Sequence, residues 1–143
     1  MTKILAYNVR IDEQPFIDQW SKEHGVQVDS IPEELHDDTV DKAKGYDGVD
    51  FKQRTVVTQN PAFYQKLASY GITQLSARSA GIDTVNLKWA KANNLRVTNV
   101  PSYSPEAVAE MALTQTMQLI RHIPQFNDPV SYTHLTLPTI CSV

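Results

Sequence analysis

Residues 60–77, NPAFYQKLASYGITQLSA, contain the pattern that decides the fold. Asn60 followed by Pro61 is typical of a helix start, and Gly71 is typical of the residue just past a helix end. The run ITQLSA follows at once and has the length and composition of a strand. This stretch therefore predicts one helix joined directly to one strand.

The same alternation of helix and strand extends in both directions from this stretch. Strands are predicted at KILAYNV (3–9), VQVDSI (26–31), DGVDF (47–51) and LRVTNV (95–100), and helices at DEQPFIDQWSKEHG (12–25), DDTVDKAKG (37–45) and NLKWAKANN (86–94). Strands separated by single helices are parallel when each helix crosses over the sheet. The sequence therefore predicts an α/β fold with an open, parallel, doubly wound sheet.

The composition limits the kinds of partner that this chain can have. It has 143 residues, of which 41% are hydrophobic, and this is enough for one domain with its own core. The net charge of -3 argues against binding nucleic acid or an anionic membrane, because both need a basic patch. No apolar run is long enough to span a membrane, and MTKILAYNVR lacks a signal-peptide core, so we expect a cytoplasmic protein. The one cysteine allows no internal disulfide, and the four scattered histidines predict no metal site.

The last predicted helix, SPEAVAEMALTQTMQLIRH (104–122), differs from the others. Ser104 suits the N-cap position, Pro105 the first turn, and Glu106 the positive end of the helix dipole. From Ala107 to Ile120 only Glu110 is charged, so the helix is apolar around most of its circumference. Such a helix needs cover on most sides. The sequence predicts that a further segment, or another chain, supplies it.

Two loops at predicted strand ends are candidate binding sites, because ligands of parallel sheets gather at the carboxyl ends of the strands. In SARSAGIDTVN (76–86), the small residues Ser79, Ala80 and Gly81 let backbone N–H groups approach an anion at a helix start. The same loop is also consistent with a plain strand-to-helix turn that Asp83 caps. In NVPSYSPEAVAE (99–110), Tyr103 is either a wall of a substrate site or a packed aromatic.

Several expected signatures of catalysis are missing from this sequence. The five glycines form neither G-x-G-x-x-G nor a P-loop, so the chain is predicted to have no complete dinucleotide site of its own. We also find no recognisable Ser/His/Asp or Cys/His arrangement. No residue of this chain is therefore assigned a catalytic role.

With both loops described, the order SARSAGIDTVNL and then LRVTNVPSYSPEAVAEMAL resembles the D-2-hydroxyacid dehydrogenases, most of all the D-lactate dehydrogenases. MTKILAYNVRIDEQPF and AKGYDGV share the likeness, which covers residues 1–125 approximately. The resemblance implies a flavodoxin-like substrate domain at 1–103 and a hinge helix at 104–123. It also implies a Rossmann NAD domain that this sequence does not contain. The intact protein is then expected to be a homodimer that interconverts a 2-keto acid and a 2-hydroxy acid with NAD.

The resemblance also implies roles for particular residues. Ala80 and Gly81 correspond to the backbone N–H pair that holds the substrate carboxylate, with Arg78 and Asp83 framing it. Tyr103 corresponds to the aromatic beside the substrate. Val108 is expected on the nicotinamide side, and Met111 stands where relatives often have His. The family's catalytic Arg, Glu and His lie beyond the end of this chain, which is therefore expected to be inactive.

The final residues do not continue this pattern. Residues 124–143 are rich in Thr, Ser and Pro, and we expect them to be disordered. VSYTHLTLPT (130–139) resembles the translation of a transposon-end adaptor used in sequencing libraries, so 130–143 are predicted to be artefactual. The alternative to a dehydrogenase part is a stand-alone flavodoxin-like domain that binds a ligand or regulates another protein.

Overall fold

The computed structural model describes residues 2–123, which contain five strands and four α-helices. The strands are β1 (Lys3–Tyr7), β2 (Gln27–Ser30), β3 (Gly48–Phe51), β4 (Gln74–Ala77) and β5 (Arg96–Thr98). The helices are α1 (Gln14–His24), α2 (Ala62–Ser69), α3 (Leu87–Ala92) and α4 (Pro105–Ile120). A 3₁₀ helix at Val40–Ala43 lies between β2 and β3.

The five strands form one sheet in the order β2-β1-β3-β4-β5, and every neighbouring pair is parallel. This is the flavodoxin-like order of a doubly wound sheet. The register places Leu5 beside Val49 and Val49 beside Leu75. The predicted fold class is therefore confirmed.

One face of the sheet carries the hydrophobic core. Alternate residues of the three central strands point into it, and α2 covers them with three buried side chains. These residues are Leu5, Tyr7, Val49, Phe51, Leu75 and Ala77 from the sheet, and Phe63, Tyr64 and Leu67 from α2. Burying one large apolar side chain stabilises a fold by roughly 1.5–3 kcal/mol, so this face dominates the stability of the domain.

The opposite face of the sheet is only partly covered. Helix α1 lies over it and places Ile17 and Trp20 against Ile4 and Val28. A groove of about 360 Å³ remains between α1 and the sheet. Trp20 is 43% exposed, so this layer is looser than the core layer.

The helix ends follow the signals in the sequence. Gly25 (φ 62°) ends α1 and Gly71 (φ 85°) follows α2, and both adopt the left-handed conformation that glycine permits without strain. The Asn60 side chain accepts a hydrogen bond from the N–H of Ala62 at 3.0 Å. The predicted ends of α1 and α2 are therefore confirmed, but α1 begins at Gln14, and α2 begins at Ala62 with Pro61 rather than Asn60 in the N-cap position.

Most predicted elements are shorter than expected, and for two of them the backbone shows why. The first strand ends at Tyr7 because Asn8 has a φ of 52°, which no strand residue adopts. Asn8 instead donates its side-chain amide to the carbonyl of Lys52 at 2.9 Å. The helix predicted over 37–45 is only the 3₁₀ helix Val40–Ala43, since the backbone becomes extended at Lys44.

The chain divides into two compact units, Met1–Tyr103 and a second that begins at Ser104. The described part of the second unit is mainly α4, and none of the residues of this helix is buried. Its large apolar side chains are exposed, Val108 and Leu119 by 70% and 71%. Ser104 holds the N-cap position as predicted, but its side chain makes no capping hydrogen bond. No helix within residues 2–123 is long and apolar enough to cross a membrane.

Candidate functional site

The turn Ser79–Gly81 follows β4 directly, and all three of its carbonyl oxygens have partners. The Ser79 oxygen accepts from the N–H of Val100 at 3.0 Å, and the Ala80 oxygen from the Asn99 side chain at 2.6 Å. The Gly81 oxygen accepts from the Ser79 hydroxyl at 2.8 Å. These bonds fix the orientation of the peptide planes in the turn.

Unlike the carbonyl oxygens, two N–H groups of the same turn have no partner within the described residues. Ala80 and Gly81 are exposed, and neither N–H donates a hydrogen bond to any group of residues 2–123. Consecutive backbone N–H groups without internal acceptors form a concave site that attracts anions. Both N–H groups are therefore available to an anion within the described part of the chain, and the expectation that this turn holds a carboxylate stays a prediction.

Helix α3 starts where the run NLKWAKANN (86–94) predicted it, and not at Asp83. Helix α3 begins at Leu87, and its N-cap is Asn86, whose side chain accepts from the N–H groups of Lys88 and Trp89 at 3.1 and 3.2 Å. The prediction that Asp83 caps the helix is therefore wrong. The expectation that a helix dipole at this turn supports the anion site is wrong for the same reason.

Two contacts explain why the helix starts at Asn86. The backbone N–H of Asn86 donates to the Tyr64 hydroxyl at 2.9 Å, and the carbonyl of Thr84 accepts from the N–H of Val57 at 3.0 Å. Both bonds hold the segment between Asp83 and Asn86 in a non-helical path. Burial raises the pKa of Tyr64, so its hydroxyl stays protonated at neutral pH.

Tyr103 belongs to a segment that begins beside the turn. Asn99 and Val100, which contact the turn, precede it by four and three residues. The Tyr103 side chain is 80% exposed, so the interpretation of Tyr103 as a packed aromatic is wrong for this chain. Val108 lies in the first turns of α4, and its expected contact with nicotinamide stays a prediction.

A half-buried charge cluster, which sequence reasoning did not predict, lies at the same edge of the sheet. Arg78 forms an ion pair with Asp50 and donates to the carbonyls of Tyr7 and Asn8 at 2.9 and 3.0 Å. Glu13, before α1, lies 3.7 Å from the Arg78 guanidinium. Burial raises the pKa of Asp50, and the neighbouring Arg78 opposes this rise.

Glu13 links the cluster to Lys52, whose ammonium group lies 2.9 Å from its carboxylate. Burial favours the neutral form of Glu13. The hydrogen bonds from Lys52 and the N–H of Arg10 outweigh that effect, so the pKa of Glu13 lies below its ordinary value. Glu13 thus stabilises the fold at pH values above its ordinary pKa. This contribution is lost as the pH falls through the lowered pKa.

Replacing Lys52 by Met is expected to raise the pKa of Glu13, because the variant lacks the hydrogen bond and the positive charge. Carboxyl ¹³C chemical shifts, followed through an acid titration, measure this pKa. Lys22→Met is the matched control, because Lys22 is exposed in the last turn of α1. An unchanged pKa of Glu13 in Lys52→Met would contradict the assigned ion pair.

Residues 4–142 match the family described as D-isomer specific 2-hydroxyacid dehydrogenase, catalytic domain. The chain belongs to this family. It is 47% identical over 126 residues to a D-lactate dehydrogenase of Lactiplantibacillus pentosus. It is also 46% identical over 123 residues to a D-2-hydroxyacid dehydrogenase (NAD(+)) of Clostridioides difficile. These alignments cover 87% and 85% of this chain, but only 37% of each relative.

Solved structures of 2-hydroxyacid dehydrogenases agree with this assignment. A D-lactate dehydrogenase from Sporolactobacillus sp. aligns with a TM-score of 0.70 and 48% identity, over 88% of this chain and 38% of that one. The NAD-complexed D-isomer specific 2-hydroxyacid dehydrogenase of Lactobacillus delbrueckii ssp. bulgaricus aligns with a TM-score of 0.73 and 41% identity. That alignment covers 93% of this chain and 40% of the other. This chain thus spans about two fifths of the length of its dehydrogenase relatives.

Proposed function

We propose that this chain is the substrate domain of an NAD-dependent D-2-hydroxyacid dehydrogenase of the D-lactate type. The main support is the turn Ser79–Gly81, in which the carbonyls are engaged and the Ala80 and Gly81 N–H groups are free. A substrate of this class has a carboxylate next to the reacting carbon. Two charge-assisted hydrogen bonds from the turn would hold that carboxylate and orient the carbon beside it.

The rest of the site is assigned by position. Tyr103 follows the segment that contacts the turn, and its exposed ring would cover the substrate on one side. A nicotinamide cofactor supplies a hydride to the 2-keto carbon when it is bound. The glycine pattern that would hold its pyrophosphate is absent from this sequence, and so the complete protein would hold NAD chiefly through residues outside this chain. Val108 is the one residue here that we place on the nicotinamide side.

The exposed helix α4 fits the same proposal. Its apolar side chains would be covered in the complete protein by the NAD domain and by a second subunit, which makes the enzyme a homodimer. We also propose that the complete enzyme is cytoplasmic. We also keep the prediction that residues 130–143, which lie outside the described part, are not native.

The decisive experiment starts from the source genome. We expect the native reading frame to leave this sequence near codon 129 and to continue into a strand followed by G-x-G-x-x-G. The complete protein should reduce pyruvate with NADH and release D-lactate, whereas the 143-residue chain should neither turn over pyruvate nor bind NADH. A native stop codon near residue 129, with a soluble monomeric product, would instead favour the stand-alone binding domain. NADH-dependent turnover by the 143-residue chain alone would also contradict the proposal.

A further inference from the structure

Arg78 occupies the crevice where a doubly wound sheet usually binds its ligand. In the order β2-β1-β3-β4-β5, the chain winds in opposite directions on either side of the β1–β3 pair. The carboxyl ends of these two strands flank a crevice that the connecting loops leave open. Arg78 extends from the end of β4 past β3 and binds the carbonyls of Tyr7 and Asn8 at the end of β1. The chain therefore fills this crevice with its own guanidinium.

Arg78 joins the end of β4 to three other parts of the fold, β1, β3 and the start of α1. Its backbone N–H donates to the carbonyl of Phe51 at 2.8 Å, and its guanidinium pairs with Asp50, so that it is bound to β3 twice. The same guanidinium contacts the end of β1 and lies 3.7 Å from Glu13 at the start of α1. A planar guanidinium with five donors in fixed directions is well suited to satisfy acceptors on separate elements at once.

One donor of this guanidinium remains unused. The Arg78 Nε is buried, and it has no hydrogen-bond partner among residues 2–123. A buried donor without a partner destabilises the fold and calls for an explanation. The explanation offered by the geometry is that the bridge between β1, β3 and α1 fixes the side chain in a position that leaves Nε unpaired.

The position of Arg78 in the sequence connects the bridge to the substrate site. Arg78 is the residue directly before Ser79, so its backbone sets where the turn Ser79–Gly81 begins. Asn99 and Val100 hold the carbonyls of the turn from the side of β5. The turn is therefore anchored from β1 and β3 through Arg78 and from β5 through its carbonyls.

We propose that Arg78 is a positioning residue that sets the direction of the Ala80 and Gly81 N–H groups by bridging the ends of β1 and β3. This inference rests on the proposed function, which gives those N–H groups their ligand. Arg78 does not itself contact the substrate. Its guanidinium is turned toward β1 and α1, and its acceptors there occupy it.

The test uses the ¹⁵N-labelled 143-residue chain and the variant Arg78→Lys. Lysine keeps the positive charge but lacks the planar fork, so we expect a folded variant with a displaced turn. Residual dipolar couplings of the Ser79, Ala80 and Gly81 N–H vectors measure this displacement without any ligand. Arg96→Met is the control, because Arg96 is exposed on β5, and its loss changes the charge without touching the bridge. Unchanged couplings of the three N–H vectors in Arg78→Lys would overturn the inference.

The same samples, titrated with pyruvate, separate this inference from the proposed function. Pyruvate should shift the Ala80 and Gly81 resonances in the unaltered chain. In Arg78→Lys the apparent Kd should rise by about 10- to 100-fold, the scale expected when a binding group is misplaced. If pyruvate shifts neither resonance in the unaltered chain, the carboxylate assignment fails, while the couplings still decide whether Arg78 positions the turn. An equal Kd in both proteins would overturn the inference that Arg78 positions the two N–H groups.

If Arg78→Lys does not fold, Asp50→Asn replaces it. Asparagine has the same shape as aspartate and keeps one acceptor oxygen, so Arg78 retains its bonds to Tyr7 and Asn8. Loss of the ion pair should displace the Ala80 and Gly81 N–H vectors in the same direction but by less. Couplings equal to those of the unaltered chain would again overturn the inference.

Discussion

Replacing Gly81 by Pro is expected to lower the kcat/KM of the complete enzyme for pyruvate by about 100-fold or more, as when one donor to a substrate oxyanion is removed. Proline has no backbone N–H, so the variant loses one of the two donors that we assign to the carboxylate. The measurement is steady-state pyruvate reduction, with the Tm of each variant recorded to show that it is folded. Ala80→Pro should act in the same way on the other donor.

Gly81→Ala is the matched control for this prediction. It keeps the N–H, and a Cβ at Gly81 meets only the Asp83 carboxylate at 3.8 Å, which is an ordinary contact. Gly81 does not adopt a positive φ, so alanine fits its backbone. The control should therefore retain most of the activity. An equal loss in Gly81→Ala and Gly81→Pro would show that the space at this position matters rather than the N–H.

Replacing Phe51 by Ala is expected to lower the free energy of unfolding of the chain by about 3–5 kcal/mol, the usual cost of deleting a buried phenyl ring. Phe51 is 1% exposed at the end of β3, where it pairs with Tyr7 and Ala77. Small domains are stable by only about 5–15 kcal/mol, so much of the chain could unfold at ambient temperature. Urea denaturation, followed by circular dichroism, measures the change.

Phe16→Ala is the control, because Phe16 is 73% exposed on α1. Changes at exposed positions usually alter the free energy of unfolding by less than about 0.5 kcal/mol. Similar losses in the two variants would contradict the assignment of the core to the face that α2 covers. Because the carbonyl of Phe51 also accepts from the N–H of Arg78, Phe51→Ala should disturb the turn Ser79–Gly81 as well.

The alternation of strands and helices could be predicted because its signals are local. Gly25 and Gly71 mark helix ends through their own backbone conformation, and the Asn60 side chain accepts a hydrogen bond from Ala62, only two residues away. The order of the strands has no such local signal, because it depends on which strands pair across long separations. The flavodoxin-like order was expected only through the family resemblance.

The start of α3 shows where local signals compete. Asp83 and Asn86 are both good N-cap residues, and they lie three positions apart. The choice falls on Asn86 because its N–H binds the hydroxyl of Tyr64, which is 22 residues away. Leu35 was missed for a similar reason. It stands in the acidic stretch EELHDD (33–38), where charged neighbours indicate an exposed segment, yet its side chain is buried in the core.

The sequence predicted which residues form the candidate site, but not the contacts that hold those residues in place. Ala80, Gly81 and Tyr103 were identified before the structure, whereas Asn99 gave no signal of its own. The Arg78 cluster joins residues separated by 28 to 71 positions, and no periodicity in the sequence reveals such a set. Contacts of this kind arise only when the strands have taken their places in the sheet.

Because all three carbonyls of the turn are hydrogen-bonded within the fold, the proposed binding site should evolve in a particular way. Its binding atoms are present in nearly every amino acid, so mutations at Ala80 or Gly81 can accumulate without erasing them, proline excepted. If the proposed site is correct, selection should act chiefly on Asn99 and Arg78, to which we assign no contact with the ligand. An alignment of relatives should therefore show stronger conservation at the two anchoring residues than at the residues whose N–H groups we propose to bind the ligand.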